Sequence, residues 1–342
     1  MSEKKNWIAV ANVCACLGVI ILHCNGVFWT FPSGRLWYTS NFLETFFYWP
    51  VPVFFMISGA TLMNYRDRYS TGIFFKKRIQ RTVIPFLVWS IISVLYRYFY
   101  WHWPHDGLRD TISGVLTTKY VGIYWFFIPL FAVYMSFPLL SAVEKKYRQT
   151  VFLLIAGLTF IFTSLLPTVF TLTGLQYNKG LQIPVAGGYM IYVLIGYLIS
   201  NFDLKKKTRY LFYVIGLLGW FIQFEGTNLL SLPAGKIVET FKGYVNFPAV
   251  MQAVGIFVFF RYACDRWKRL ERFDKICMSL SKYTFGIYLV HFYLVEMIPE
   301  HLHIDTGSIC WRTAGAVAVF SISALICFVI SKIPVIRKCI GL

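Results

Sequence analysis

The residues of this chain whose types and positions could do chemistry are His23, Glu44, the pair Arg78 and Arg81, and His291. His23 is an ionisable residue about 16 residues into the first apolar segment, which places it about 24 Å along a helix from its start. An imidazole titrates near neutral pH and can accept or donate a proton. Polar groups inside a membrane segment are costly, so a function or a hydrogen bond to a neighbouring helix must account for it. Asn12 precedes it by eleven positions, on nearly the same helical face and about 16 Å away along the axis. A packed amide would also account for Asn12. Arg78 and Arg81 stand three apart in KKRIQR, just before Pro85. Guanidinium groups three apart share a helix face and suit phosphate oxygens, although arginines in that position also serve membrane topology. Glu44 opens the second apolar segment at the expected depth of His23, where a carboxylate could bond the imidazole or serve the helix dipole. His291 and Glu296 lie in FGIYLVHFYLVEMIP, five apart and so directed to different partners. Tyr124 and Trp125 match an interfacial aromatic belt and could equally offer a sugar a flat face.

The elements that carry these residues are membrane helices. The chain is 57% hydrophobic, 19% aromatic and only 14% charged, whereas a soluble domain is about a quarter charged. A bilayer core needs about 20 apolar residues per helix, and ten such stretches are present. They cover about 7 to 28, 42 to 63, 82 to 101, 120 to 142, 150 to 167, 184 to 201, 210 to 224, 244 to 262, 283 to 299 and 310 to 331. The expected fold is therefore an all-α integral membrane bundle of about ten transmembrane helices, forming one domain over residues 1–342 with no separate soluble domain.

With the N terminus on the inside, 25 of the 33 lysines and arginines fall in inner segments, from Lys4 and Lys5 through Arg66, Lys145, Lys205 and Arg266 to Lys338. That bias obeys the positive-inside rule and puts both termini in the cytoplasm. The net charge of +18 is then topological, and nucleic acid is not an expected partner. No cleavage pattern follows Gly26, so the first segment reads as a retained helix. The eight cysteines, Cys264 among them, form no CxxC pair and no Cys/His cluster, so neither disulfide framework nor metal site is expected.

The chain as a whole resembles the acyltransferase 3 family of multi-pass membrane proteins, and is most similar to the bacterial O-acetyltransferases that modify surface polysaccharides. The likeness rests on His23, PVFFMISG at 52–59, KKRIQRTVIPF with Arg78 and Arg81, YWFFIPLFAVYMSFPLL at 124–140, the IGY turn at 195–197 and SKYTFGIYLVH ending at His291. The resemblance implies an acyl donor, acetyl-CoA or another acyl-CoA, taken from the cytoplasm, and no metal. The acyl group would pass through the bundle to a hydroxyl of an extracytoplasmic acceptor such as a cell-surface glycan. The protein would then sit, multi-pass, in a bacterial plasma membrane. It implies His23 as base or transient acyl carrier and Arg78 and Arg81 on the coenzyme's phosphates, while Glu44 is expected in the catalytic group from its position alone. His291, Tyr124 and Trp125 would lie around the substrate. The family usually has arginine where this chain has Asn12, so Arg78, Arg81 and nearby lysines compensate, or cofactor handling differs, or catalysis is lost. Two readings from other classes fit the same residues: a proton-coupled transporter with His23, Glu44 and His291 along its path, and a noncatalytic partner in envelope assembly.

Overall fold

The computed structural model describes residues 6–182, 185, 187–263, 271–334 and 336–342. Lys4, Lys5, Cys264, Arg266, Lys268, Arg269 and positions 184 and 186 of the sixth expected span lie outside them. Every regular element among the described residues is helical. In chain order these are α1 (Asn6–Cys24), α2 (Gly34–Phe46), α3 (Pro50–Leu62), α4 (Thr71–Tyr100), α5 (Leu108–Leu116), α6 (Phe127–Ala142) and α7 (Lys145–Leu172). There follow α8 (Met190–Asn201), α9 (Lys206–Ala234), α10 (Phe247–Ala263), α11 (Glu271–Ser281), α12 (Thr284–Leu302) and α13 (Trp311–Ser331). Among the described residues six helical stretches are long and apolar enough to cross a membrane, and α8 and α10 are shorter apolar helices of 12 and 17 residues. The two remaining expected spans fall in α9, of 29 residues, and α12, of 19, both of which carry polar side chains such as Asn228 and His291.

Prolines set several breaks. The expected span 42–63 is two helices, because Pro50 and Pro52 lack N–H donors and suit a helix's first turn, so α3 begins there after the break at 47–49. In α4, Pro85 has no N–H to offer the Arg81 carbonyl and its ring crowds that group. The helix widens into a π turn at Ile79–Val83, the stretch that holds Arg81 and follows Arg78. A second π turn, Phe160–Leu165, precedes Pro167 in α7.

The motifs at 52–59 and 195–197 meet in space. A Cβ on Gly59 would lie 2.0 Å from the Val193 carbonyl oxygen, and one on Gly196 2.1 Å from that of Met56. The IGY sequence is thus not a turn but the interior of α8, packed backbone to backbone on α3. Gly59→Ala or Gly196→Ala is expected to force α3 and α8 apart and lower stability by about 1–3 kcal/mol. Thermal unfolding in detergent measures this, and an unchanged midpoint in both variants would contradict so close a crossing.

One end of the bundle is cationic and tied together across its turns. Arg148 donates to Asn64 Oδ1 at 2.7 Å and to the Ser141 carbonyl at 2.6 Å. Lys145 meets Asp67 at 2.6 Å, and Arg261 donates to the Phe202 carbonyl and to Asp203. At the other end Arg97 grips Glu296 with two bonds, 2.9 and 2.8 Å, and donates to the Tyr120 carbonyl at 2.7 Å. There the segment before α6 is pinned by Lys119 and the Tyr120 hydroxyl, each 2.7 Å from Asp106 Oδ2. The hydrogen bond from Lys119 holds the Asp106 carboxyl below its ordinary 3.8, and the same bond holds Lys119 above 10.5. Asp106 therefore adds stability above pH 3.8 that is lost as pH falls through its depressed value. Lys119 adds stability below pH 10.5 that is lost as pH rises through its raised one. Cleavage by an acid protease within residues 102–120 is expected to begin only below pH 3.8. Steady cleavage on both sides of that value would contradict the link.

Candidate active site

The end of α1 is anchored from three sides. The Asn25 amide N–H donates to the Ile21 carbonyl at 3.0 Å, continuing the last turn, and Asn25 Nδ2 donates to the Ser40 carbonyl of α2 at 2.9 Å. Arg312, buried in α13, donates to Asn25 Oδ1 at 3.2 Å and to Thr39 Oγ1 at 3.1 Å. His23 stands two residues before this junction. Its Nδ1 lies 2.7 Å from Nε2 of the fully buried His291 in α12, with ring planes within 8° and centroids 5.0 Å apart. At that spacing the rings lie end to end in nearly one plane, as an N–H···N bond requires.

The partners assign the protons. His291 Nδ1 is 3.1 Å from the Ile287 carbonyl, which can only accept, so Nδ1 carries hydrogen and Nε2 is left as acceptor. His23 must then donate from Nδ1, leaving its own Nε2 with a free lone pair. The buried member of the pair fixes the tautomer of the half-buried one.

Nearer the cationic end, α1 and α12 meet again. Asn12 Nδ2 donates to Thr284 Oγ1 at 2.8 Å and to the Ser281 carbonyl at 3.3 Å. The two helices thus run side by side in the same sense, with Asn12 at the start of α12 and His23 two turns further along it. Asn12 serves as a brace there, while also lining a cavity of about 370 Å³. The same cavity is lined by Arg78, Arg81, Thr284 and Tyr288. Arg78 Nε is buried with no hydrogen-bond partner, and its guanidinium stands 5.5 Å from the Tyr134 ring centre, while Arg81 is exposed. At its deep end the Tyr288 ring lies 5.5 Å from that of His291. The cavity therefore runs from a pair of guanidinium groups to one ring short of the histidines. A second cavity of about 550 Å³, lined by Arg68, Asp67 and Thr61, shares Asn12 and Ser281 with it.

Glu44 takes a different partner from the one its position suggested. Its Oε1 lies 2.7 Å from Lys242 Nζ, with both side chains almost completely buried. His23 is bonded to His291 instead. A buried carboxylate needs a full positive charge more than a neutral imidazole, and Lys242 supplies it from the segment after α9. The ammonium also faces the rings of Trp29, Tyr48 and Phe28 at 4.1, 4.6 and 4.9 Å. Tyr48 stacks on Tyr244 at 4.3 Å and Tyr244 on the half-buried Trp125 at 5.4 Å. Trp125 thus belongs to an aromatic row beside Glu44. Tyr124 does not: it is buried and donates to the Leu289 carbonyl at 2.9 Å, locking the turn before α6 onto α12. Glu296, bound by Arg97, is separate from the histidines. Lys242, Arg97 and Arg312 gave no sequence signal, because their roles depend on partners 198, 199 and 287 positions away.

A helical, multi-pass membrane protein with a bonded imidazole pair and a guanidinium-lined cavity that ends one ring short of it has the parts of a group-transfer enzyme. The chain belongs to the acyltransferase 3 family, whose acyltransferase domain matches residues 5–328. It is a membrane acyltransferase. No curated protein and no solved structure matches it.

Proposed function

We propose that this enzyme takes an acetyl or similar acyl group from acyl-CoA at its cationic end and transfers it to a hydroxyl of an acceptor at the opposite face, a cell-surface glycan. The carrying observation is the cavity that joins Arg78 and Arg81 to Tyr288 beside the histidine pair. By the positive-inside rule the cationic end faces the cytoplasm of a bacterial cell, where acyl-CoA is found. The residues fit that donor. Arg78 has a buried N–H without a hydrogen-bond partner, a guanidinium is a natural ligand for the diphosphate, and an extended pantetheine arm would run along the cavity from the arginines toward Tyr288. Asn12 brings no charge, and both N–H groups of its side chain are engaged by Thr284 and the Ser281 carbonyl, so the two arginines carry the cationic role.

In the transfer, His23 Nε2 takes the proton of the acceptor hydroxyl as its oxygen bonds to the thioester carbonyl carbon. The carbon–sulfur bond of the tetrahedral intermediate then breaks, and the departing sulfur receives that proton from His23. His291 keeps Nδ1 of His23 engaged, so Nε2 is the nitrogen that cycles. The half-buried Trp125, at the end of the row that Tyr48 and Tyr244 continue, offers a flat face for a sugar ring near Glu44. Arg78→Ala/Arg81→Ala is expected to weaken coenzyme A binding by about 100-fold or more, from the loss of two charge-assisted contacts. Calorimetry on protein in nanodiscs measures it, and an unchanged affinity removes the arginines from the donor site.

A further inference from the structure

A second feature of the bundle lies apart from the histidines. Between α7 and α9, over α10, runs a groove of about 460 Å³ walled by Leu153, Phe160, Phe212, Ile215 and Val254. Its middle is opened by Gly157, where a Cβ would meet nothing within 4 Å. Polar groups appear only at one end, as Gln149 and Asp203, and that end belongs to the cationic face of the molecule. There the Asp203 carboxylate is already matched by Arg261. Lys146 stands one turn before Gln149 on the same face of α7, in an exposed pair with Glu144 that contributes little and 4.8 Å over the exposed Tyr147 ring. Across the groove Lys205 directly follows Leu204, which also lines it, and begins the run Lys205, Lys206, Lys207.

We propose that this groove is a binding site for one anionic phospholipid, with an acyl chain along Gly157 and the phosphate between Lys146 and Lys205. An apolar cleft holds no water, since water there would find no polar partners. Left empty, it would forfeit dispersion contacts along its whole lining. A lipid chain is slender enough to fill it and is the apolar molecule a membrane supplies. The flanking lysines then select headgroup charge, as basic pockets between membrane helices do. The site does not depend on the acyl-transfer reading, because it shares no residue with the cavity of the histidine pair.

The test is native mass spectrometry of detergent-purified protein, with phosphatidylglycerol or phosphatidylcholine added back after delipidation. Wild type is expected to retain one phosphatidylglycerol per chain in preference to phosphatidylcholine. Gly157→Leu fills the open groove and replaces a poor helix former, so it should fold normally and lose that lipid. Lys146→Gln/Lys205→Gln, on the surface, should keep a bound lipid but lose the preference for the anionic one, by about fivefold for each lysine removed. Undiminished lipid in Gly157→Leu would overturn the site. Equal retention of both lipids by wild type, or detergent alone in the groove, would overturn the ligand class. Should Gly157→Leu fail to fold, the unchanged lipid preference of the lysine variant would be decisive against the proposal.

Discussion

His23→Ala is expected to lower acyl transfer by about 10²–10⁴-fold, the usual contribution of a positioned general base, while coenzyme A binds as before. The separation follows from the geometry. The arginines proposed for the donor's phosphates line the cavity at the cationic end, whereas the histidine pair lies past Tyr288 at its deep end. His291→Ala should act through His23: with no acceptor at Nε2, the His23 ring is free to place its proton on either nitrogen, and the fraction with a usable lone pair falls. A smaller loss of rate is expected there, with unchanged KM for donor. Acidification should slow the wild-type enzyme, because a proton on His23 Nε2 occupies the position that must accept one. Release of coenzyme A thiol in proteoliposomes, with envelope glycan as acceptor, gives all three rates. Full activity in His23→Ala would end the assignment of the base and favour a role outside catalysis.

Lys242→Met should cost about 3–5 kcal/mol of stability, the largest loss expected of a single change away from the histidines. The ammonium is the charge partner of Glu44 at 2.7 Å, and the two side chains are 1% and 4% exposed. Removing it strands a buried carboxylate whose Oε2 already lacks a partner. It also withdraws the cation that the faces of Trp29, Tyr48 and Phe28 surround. Glu44→Gln/Lys242→Met removes both charges and should recover most of the loss, since a buried pair replaced as a unit is close to neutral. Thermal unfolding of the two variants beside wild type measures the difference. If the single variant is as stable as the double one, the pair is not coupled and the charge on Glu44 is matched elsewhere.

Much of this protein is legible along the chain, and for a simple reason: the bilayer imposes a local rule. Each spanning helix must be apolar over its own length, so the spans around His23, Arg78 and Trp311 can be read without knowing their neighbours. The family likeness is also a matter of local words, and Gly59 and Gly196 stand in two of them. What those glycines do, however, belongs to the contact between α3 and α8, which no single segment contains. The same holds at the site. His23 announces itself as an ionisable group in an apolar run, and Arg78 and Arg81 by their spacing, because each departs from its own surroundings. The choice of His291 over Glu44 as its partner, the capture of Glu44 by Lys242 and the bracing of Asn25 by Arg312 were decided only when helices far apart in sequence packed together. Hydrogen bonds and ion pairs act over about 3 Å and depend on direction. Composition and periodicity place a residue on a helix and at a depth, but the partner within that reach is set by how the whole bundle closes.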